Sequence, residues 1–110
     1  MNVVRKFPED MDARTQYKLV KSPETKRMVD AEDSVLDVKS WIMYTDDADG
    51  EEKTILAIET TDGEIFATIS RIFSKEFENL TEFFGDDIGE IKVVSGKSSA
   101  GRKFITCTVF

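Results

Sequence analysis

Histidine is absent from this 110-residue chain, and with it the side chain most used as a general base near neutral pH and as a metal ligand. The one cysteine, Cys107, falls at an inward position of an apolar stretch beside Ile105 and Val109, where a thiol is an inert structural group. Gly96-Lys97-Ser98 has the ending of a phosphate-binding loop, but that motif needs a glycine five residues before Gly96. Ile91 stands there, and a strand rather than a helix follows. Asp46, Asp47, Asp49, Glu51 and Glu52 offer clustered oxygens to a hard cation; the spacing is not that of an EF-hand, and a solvated loop is the simpler reading. No catalytic residue, metal ligand or cofactor is assigned, and an enzyme is not expected.

Rings beside cations offer a different chemistry. Leu36, Val38, Ile42 and Tyr44 alternate onto one face with Ser40, leaving Asp37, Lys39, Trp41 and Met43 on the other. If the first set points inward, Trp41 points outward two residues from Lys39. Phe66 likewise lies opposite Ile65 and Ala67, and Phe104 opposite Ile105 and Cys107. Single-stranded nucleic acid uses such a surface: bases stack on rings while Lys and Arg hold the backbone. Arg71, Lys92, Lys97, Arg102 and Lys103 supply further cations, and Ser98 and Ser99 supply hydroxyls in a stretch loosened by Gly96 and Gly101. The expected interface is therefore Lys39, Trp41, Phe66, Arg71, Lys92, Lys97, Arg102, Lys103 and Phe104. The same spacing fits equally well a second small core, in which N-terminal helices cover the rings.

The elements that must position these residues follow from periodicity. Asp12 is a candidate N-cap for a helix from Ala13 to about Lys21, and Ser22-Pro23-Glu24 suggests a second helix start. Strands are expected over 34–44, over Lys53–Thr60, and over Glu64–Ser70 after the Thr61-Asp62-Gly63 turn. Phe73, Phe77, Leu80 and Phe84 then recur at helical spacing as one apolar stripe, with Gly85 as its terminator. Ile91–Val94 and Lys103–Val109 complete a β-β-β-α-β-β order. A mainly-β protein is expected: a five-stranded OB-fold barrel, the fold that carries this order, with short N-terminal helices. Residues 1–33 form a helical extension packed on it, and 34–110 form the barrel.

Charge qualifies the nucleic-acid reading. The net charge is −7, where a basic region is the usual footprint. The distribution is uneven: residues 29–90 carry eighteen acids against four cations, whereas residues 91–110 carry four cations and no acid. An acidic body with a basic last hairpin binds phosphate locally and repels it elsewhere. No apolar run approaches the ~20 residues of a membrane span, and the N-terminus has no apolar signal-peptide core. With the lone cysteine, this points to a soluble protein of a reducing cytoplasm.

Lys92-Val93-Val94-Ser95-Gly96-Lys97-Ser98-Ser99-Ala100-Gly101-Arg102-Lys103-Phe104 resembles the C-terminal signature of the small single-stranded DNA-binding proteins of tailed phages, of the kind found with protein-primed replication. Asp62-Gly63-Glu64-Ile65-Phe66-Ala67-Thr68-Ile69-Ser70 is similar to a second block of that family. The resemblance spans about residues 34–110. It implies an OB-fold that coats single strands during replication in the host bacterial cytoplasm, alongside phage or host replication proteins, using tyrosines as stacking platforms, where this chain has rings without the hydroxyl. Phe66 falls where the family has such a ring, and Trp41 lies close to another. A competing reading is an acidic phage module that masks a host nucleic-acid-binding protein.

Overall fold

One residue in the longest strand decides which side chains face which core. The computed structural model describes residues 1–47 and 50–109. Its elements are β1 (Asn2–Phe7), α1 (Ala13–Lys21), β2 (Lys26–Arg27), a 3₁₀ turn (Met28–Ala31), β3 (Val35–Asp46), β4 (Lys53–Thr60), β5 (Ile65–Thr68), α2 (Arg71–Phe84), β6 (Glu90–Lys97) and β7 (Lys103–Thr108). Along β3 the partner of Val38 is Thr60 and the partner of Ser40 is Glu59. Two steps on β3 therefore match one on β4, and Lys39 is the extra residue of a β-bulge. A bulge shifts the alternation by one position. Leu36 and Val38 before it share the main core with Trp41 and Met43 after it, while Ile42 and Tyr44 turn to the opposite face.

The sheet has seven strands, in the order β2-β5-β4-β3-β6-β7, with β1 also paired to β3. β3 serves both halves. Val35–Asp37 pair with β6, and Val38–Asp46 pair with β4 on one edge while Trp41–Thr45 pair with β1 on the other. This sharing curls the sheet into a half-barrel. The expected mainly-β class stands, but five strands become seven, because the N-terminal segment contributes β1 and β2 as well as a helix.

Two apolar layers lie on either side of the sheet. Inside the curl, Phe73, Phe77 and Leu80 of α2 pack on Trp41, Leu56, Ile91, Val93 and Cys107. Outside it, Leu19 and Val20 of α1 pack with Met11 on Ile42, Ala57 and Ile65. α2 is capped by the Ser70 hydroxyl, which accepts from the Phe73 N–H, and ends at Gly85 with φ +80°. α1 is capped by Asp12, which accepts from the Thr15 N–H at 2.8 Å, and Lys18 and Lys21 complement its C-terminal dipole.

The second helix expected at Ser22-Pro23-Glu24 does not form. Ser22 instead ends α1, with its N–H donating to Lys18 O and its hydroxyl accepting from the Glu24 N–H. The chain then lays Lys26–Arg27 parallel to β5 and turns Met28 and Ala31 into the core. Burial of those two side chains, three apart as a 3₁₀ turn spaces them, outweighs a local capping signal worth about 1 kcal/mol.

Candidate functional site

The open face expected for Trp41 and Phe66 is not there. Trp41 is fully buried and Phe66 is 6% exposed, both inside the curl. For Trp41 the bulge at Lys39 is the cause: it puts the indole on the same side as Leu36 and Val38. The ring meets Phe77 edge-on at 5.1 Å, the Arg5 guanidinium lies 5.3 Å from its centroid, and its N–H donates to Asp86 O at 2.9 Å. For Phe66 alternation does not decide, because both faces of β5 carry apolar residues. Ile65 packs in the outer layer with Leu19 of α1, Ala67 is half-buried at its margin, and Phe66 takes the interior with the Lys26 ammonium 5.7 Å from its ring. Helix α1 thus covers an outer face, as the alternative had it, yet the rings are not under it.

Lys39 is exposed at the bulge, beside Glu59 and the acidic Pro8–Asp12 segment rather than beside a ring. Arg71 is exposed as the first residue of α2. The remaining five residues come together on the β6–β7 hairpin. Val93 pairs with Cys107, and Ile91, Val93, Ile105 and Cys107 point into the core. Lys92, Val94, Phe104 and Thr106 therefore occupy the outer face, all half-buried. Phe104 lies across from Gly96, and its ring fills the space over that glycine: a Cβ there would come within 2.7 Å of it. The tip is tightly turned, with Ser98 N–H donating to Arg102 O at 2.8 Å and Gly101 at φ +81°. Lys97 and Arg102 are exposed there. Lys103 is held 2.8 Å from Glu32, and hydrogen bonds from Lys103 and Ser95 hold the Glu32 carboxyl below the usual carboxylate range.

Beside this hairpin runs a groove of about 440 Å³ that the alternation of apolar residues does not reveal. β5 and β7 lie toward the two ends of the strand order and do not pair, so the curl is left with a seam. Met28, Val29, Tyr44, Ile55, Ala67, Thr68, Ile69 and Ile105 line it, with Arg27 at the rim. Ile69, directly after β5, is 60% exposed. Because Ile69 falls inside the strand expected over Glu64–Ser70, whereas β5 ends at Thr68, no sequence signal marks the groove. A second cleft, at the other end of β4 and β5, is lined by Asp30, Asp37, Asp62 and Glu64 against a single cation, Lys26, a lining that repels phosphate.

Burial pushes the Cys107 thiol up to about 12, which keeps it protonated. Of the acidic loop considered for a cation, Asp49 lies outside the described residues. Among the described residues no helix is long and apolar enough to cross a membrane. Comparison with family models, with curated proteins and with solved structures finds no match to this chain.

Proposed function

We propose that this protein binds single-stranded DNA without base specificity, coating it during phage DNA replication in the bacterial host cytoplasm, and that it is a binding protein and not an enzyme. We read its curled sheet as an OB-fold barrel enlarged by β1 and β2. The element order β3-β4-β5-α2-β6-β7, with β3 paired to both β4 and β6, supports that reading, since the OB-fold is a partly open Greek-key barrel.

The observation that carries the functional reading is the β6–β7 hairpin. It holds Lys92, Lys97, Arg102 and Lys103 after Glu90 with no acid, sets Phe104 on its outer face, and borders the apolar groove through Ile105. Phosphates meet Lys97 and Arg102 at the tip, while bases stack on Phe104 or enter the groove against Tyr44, Ile55 and Ile69. Stacking and phosphate contact carry no base-edge code, so binding is sequence-tolerant. Anisotropy titrations with fluorescent oligo-dT, a mixed-sequence oligonucleotide and duplex DNA test this. The expected result is similar affinity for the two single strands and weaker affinity for duplex. Equal or tighter binding to duplex would overturn it.

A further inference from the structure

We infer that the C-terminal turn of α2 docks a second protein, one that presents an apolar pocket rimmed by lysine or arginine. Phe84 belongs by spacing to the buried stripe of Phe73, Phe77 and Leu80, yet it is 55% exposed, and its neighbour Phe83 is 83% exposed. The last turn carries both rings past the side chains that bury Phe77 and Leu80. Their centroids are 6.4 Å apart, tilted by 47°, so they present one aromatic surface. Single exposed apolar residues are ordinary; a contiguous aromatic pair with a polar border is the form of an interaction site.

The border fixes the partner's chemistry. Glu78, Glu82, Asp86 and Asp87 flank the rings in sequence. Asp86 is engaged by Arg5 at 2.6 Å, whereas Glu78, Glu82 and Asp87 form no ion pair among the described residues. An acidic segment on both sides of the ring pair, with Glu82 before it and Asp86 and Asp87 after it, disfavours phosphate, and so disfavours DNA and anionic lipid as the occupant. A net charge of −7 disfavours a second copy of the chain. A cationic rim on a different protein complements the border and leaves the rings to fill an apolar pocket. The surface is separate from the hairpin tip: the end of α2 leads to Glu90 at the base of β6, whereas Lys97 and Lys103 pair at the other end of β6 and β7.

The test uses two fluorescein-labelled synthetic peptides of equal charge, an amphipathic Leu/Lys helix and its Ser/Lys counterpart, titrated by anisotropy. The intact protein should bind the Leu/Lys peptide at least tenfold more tightly. Phe83→Ser/Phe84→Ser should abolish that preference, and Phe83→Ser alone, which spares the half-packed ring, should reduce it, with melting curves unchanged. Saturating oligo-dT should leave the preference in place. A preference retained in the double variant, or none in the intact protein, overturns the proposal. So does a dimer seen by sedimentation velocity that the double variant loses, which would assign the rings to a second copy, or ring-dependent binding to phosphatidylcholine vesicles.

Discussion

The indole N–H of Trp41 donates to the backbone carbonyl of Asp86 at 2.9 Å, tying the middle of β3 to the turn that ends α2. With Phe77 against one edge of the ring and Arg5 near it, Trp41 is a central member of the core. Trp41→Ala is expected to lower stability by about 3–5 kcal/mol, the range for a large aromatic replaced in a core, as read from urea denaturation. Emission from the intact protein should be blue-shifted and resist acrylamide. Oligo-dT should not quench it by stacking; saturable quenching by oligo-dT together with weaker single-strand binding in Trp41→Phe at unchanged stability would show that the ring is reached after all.

On the hairpin, Phe104→Ala removes the one ring on its outer face. Loss of a stacking platform is expected to cost about 1–3 kcal/mol of single-strand affinity. Gly96→Ala tests the same contact from below: the new methyl meets the Phe104 ring at 2.7 Å, so the ring must move or the strands must part, at about 1–3 kcal/mol of stability for overpacking. Anisotropy titration and thermal melting separate the two. Unchanged affinity in Phe104→Ala would remove the ring from the interface.

Salt reads the phosphate contacts. If three to five phosphates are neutralised, the slope of log K against log salt is about −2 to −3.5, at ~0.7 per phosphate on a single strand. Replacing Lys97, Arg102 and Lys103 together by Ala should weaken binding and flatten that slope by about 1.4–2.1. The low end of that flattening follows if Lys103 stays committed to Glu32. A slope that does not change would move the site away from the hairpin, toward the N-terminal cations Lys18, Lys21, Lys26 and Arg27.

How far the sequence carries depends on the scale of the element. Helix α1 with its Asp12 cap, the end of α2 at Gly85 and the five expected strands lie about where spacing and capping residues put them, because those signals are local; β6 runs on to Lys97, three residues past the expected Val94, and β5 stops at Thr68. The faces of β3 were misassigned at one residue, since a bulge leaves no mark in hydropathy when both sides of the strand are apolar. β1 was missed because Asn2–Phe7 alternates weakly and gains its partner only from β3 forty residues away. Of the candidate site, the hairpin cations were legible as a run without acids. The groove was not, because it exists only where β5 and β7 fail to meet.

Glu59 ties α1 to the sheet, accepting from Lys18 Nζ at 2.8 Å and Ser40 Oγ at 3.1 Å. Burial alone would push its carboxyl up. The two hydrogen bonds and the charges of Lys18 and Lys39 outweigh that and hold the group below the usual carboxylate range. A depressed folded pKa means stability that is full above the unfolded value of about 4.3 and is lost as pH falls through the folded value. Glu59→Gln should therefore shrink the acid limb of the stability–pH curve below about pH 5. An acid limb of equal depth in the variant would assign the effect to other carboxylates.

Position 39 carries its information as a count rather than as an identity. The Lys39 side chain is exposed, and what matters is that one residue stands between Val38 and Ser40 where β4 has none. Substitution there is cheap, and deletion would close the bulge into regular alternation, leaving Trp41 and Met43 in the main core and Ile42 and Tyr44 toward α1. What deletion removes is the bend and added twist of the bulge, so the corner should tolerate loss of this residue in the way a surface loop does, with both layers kept.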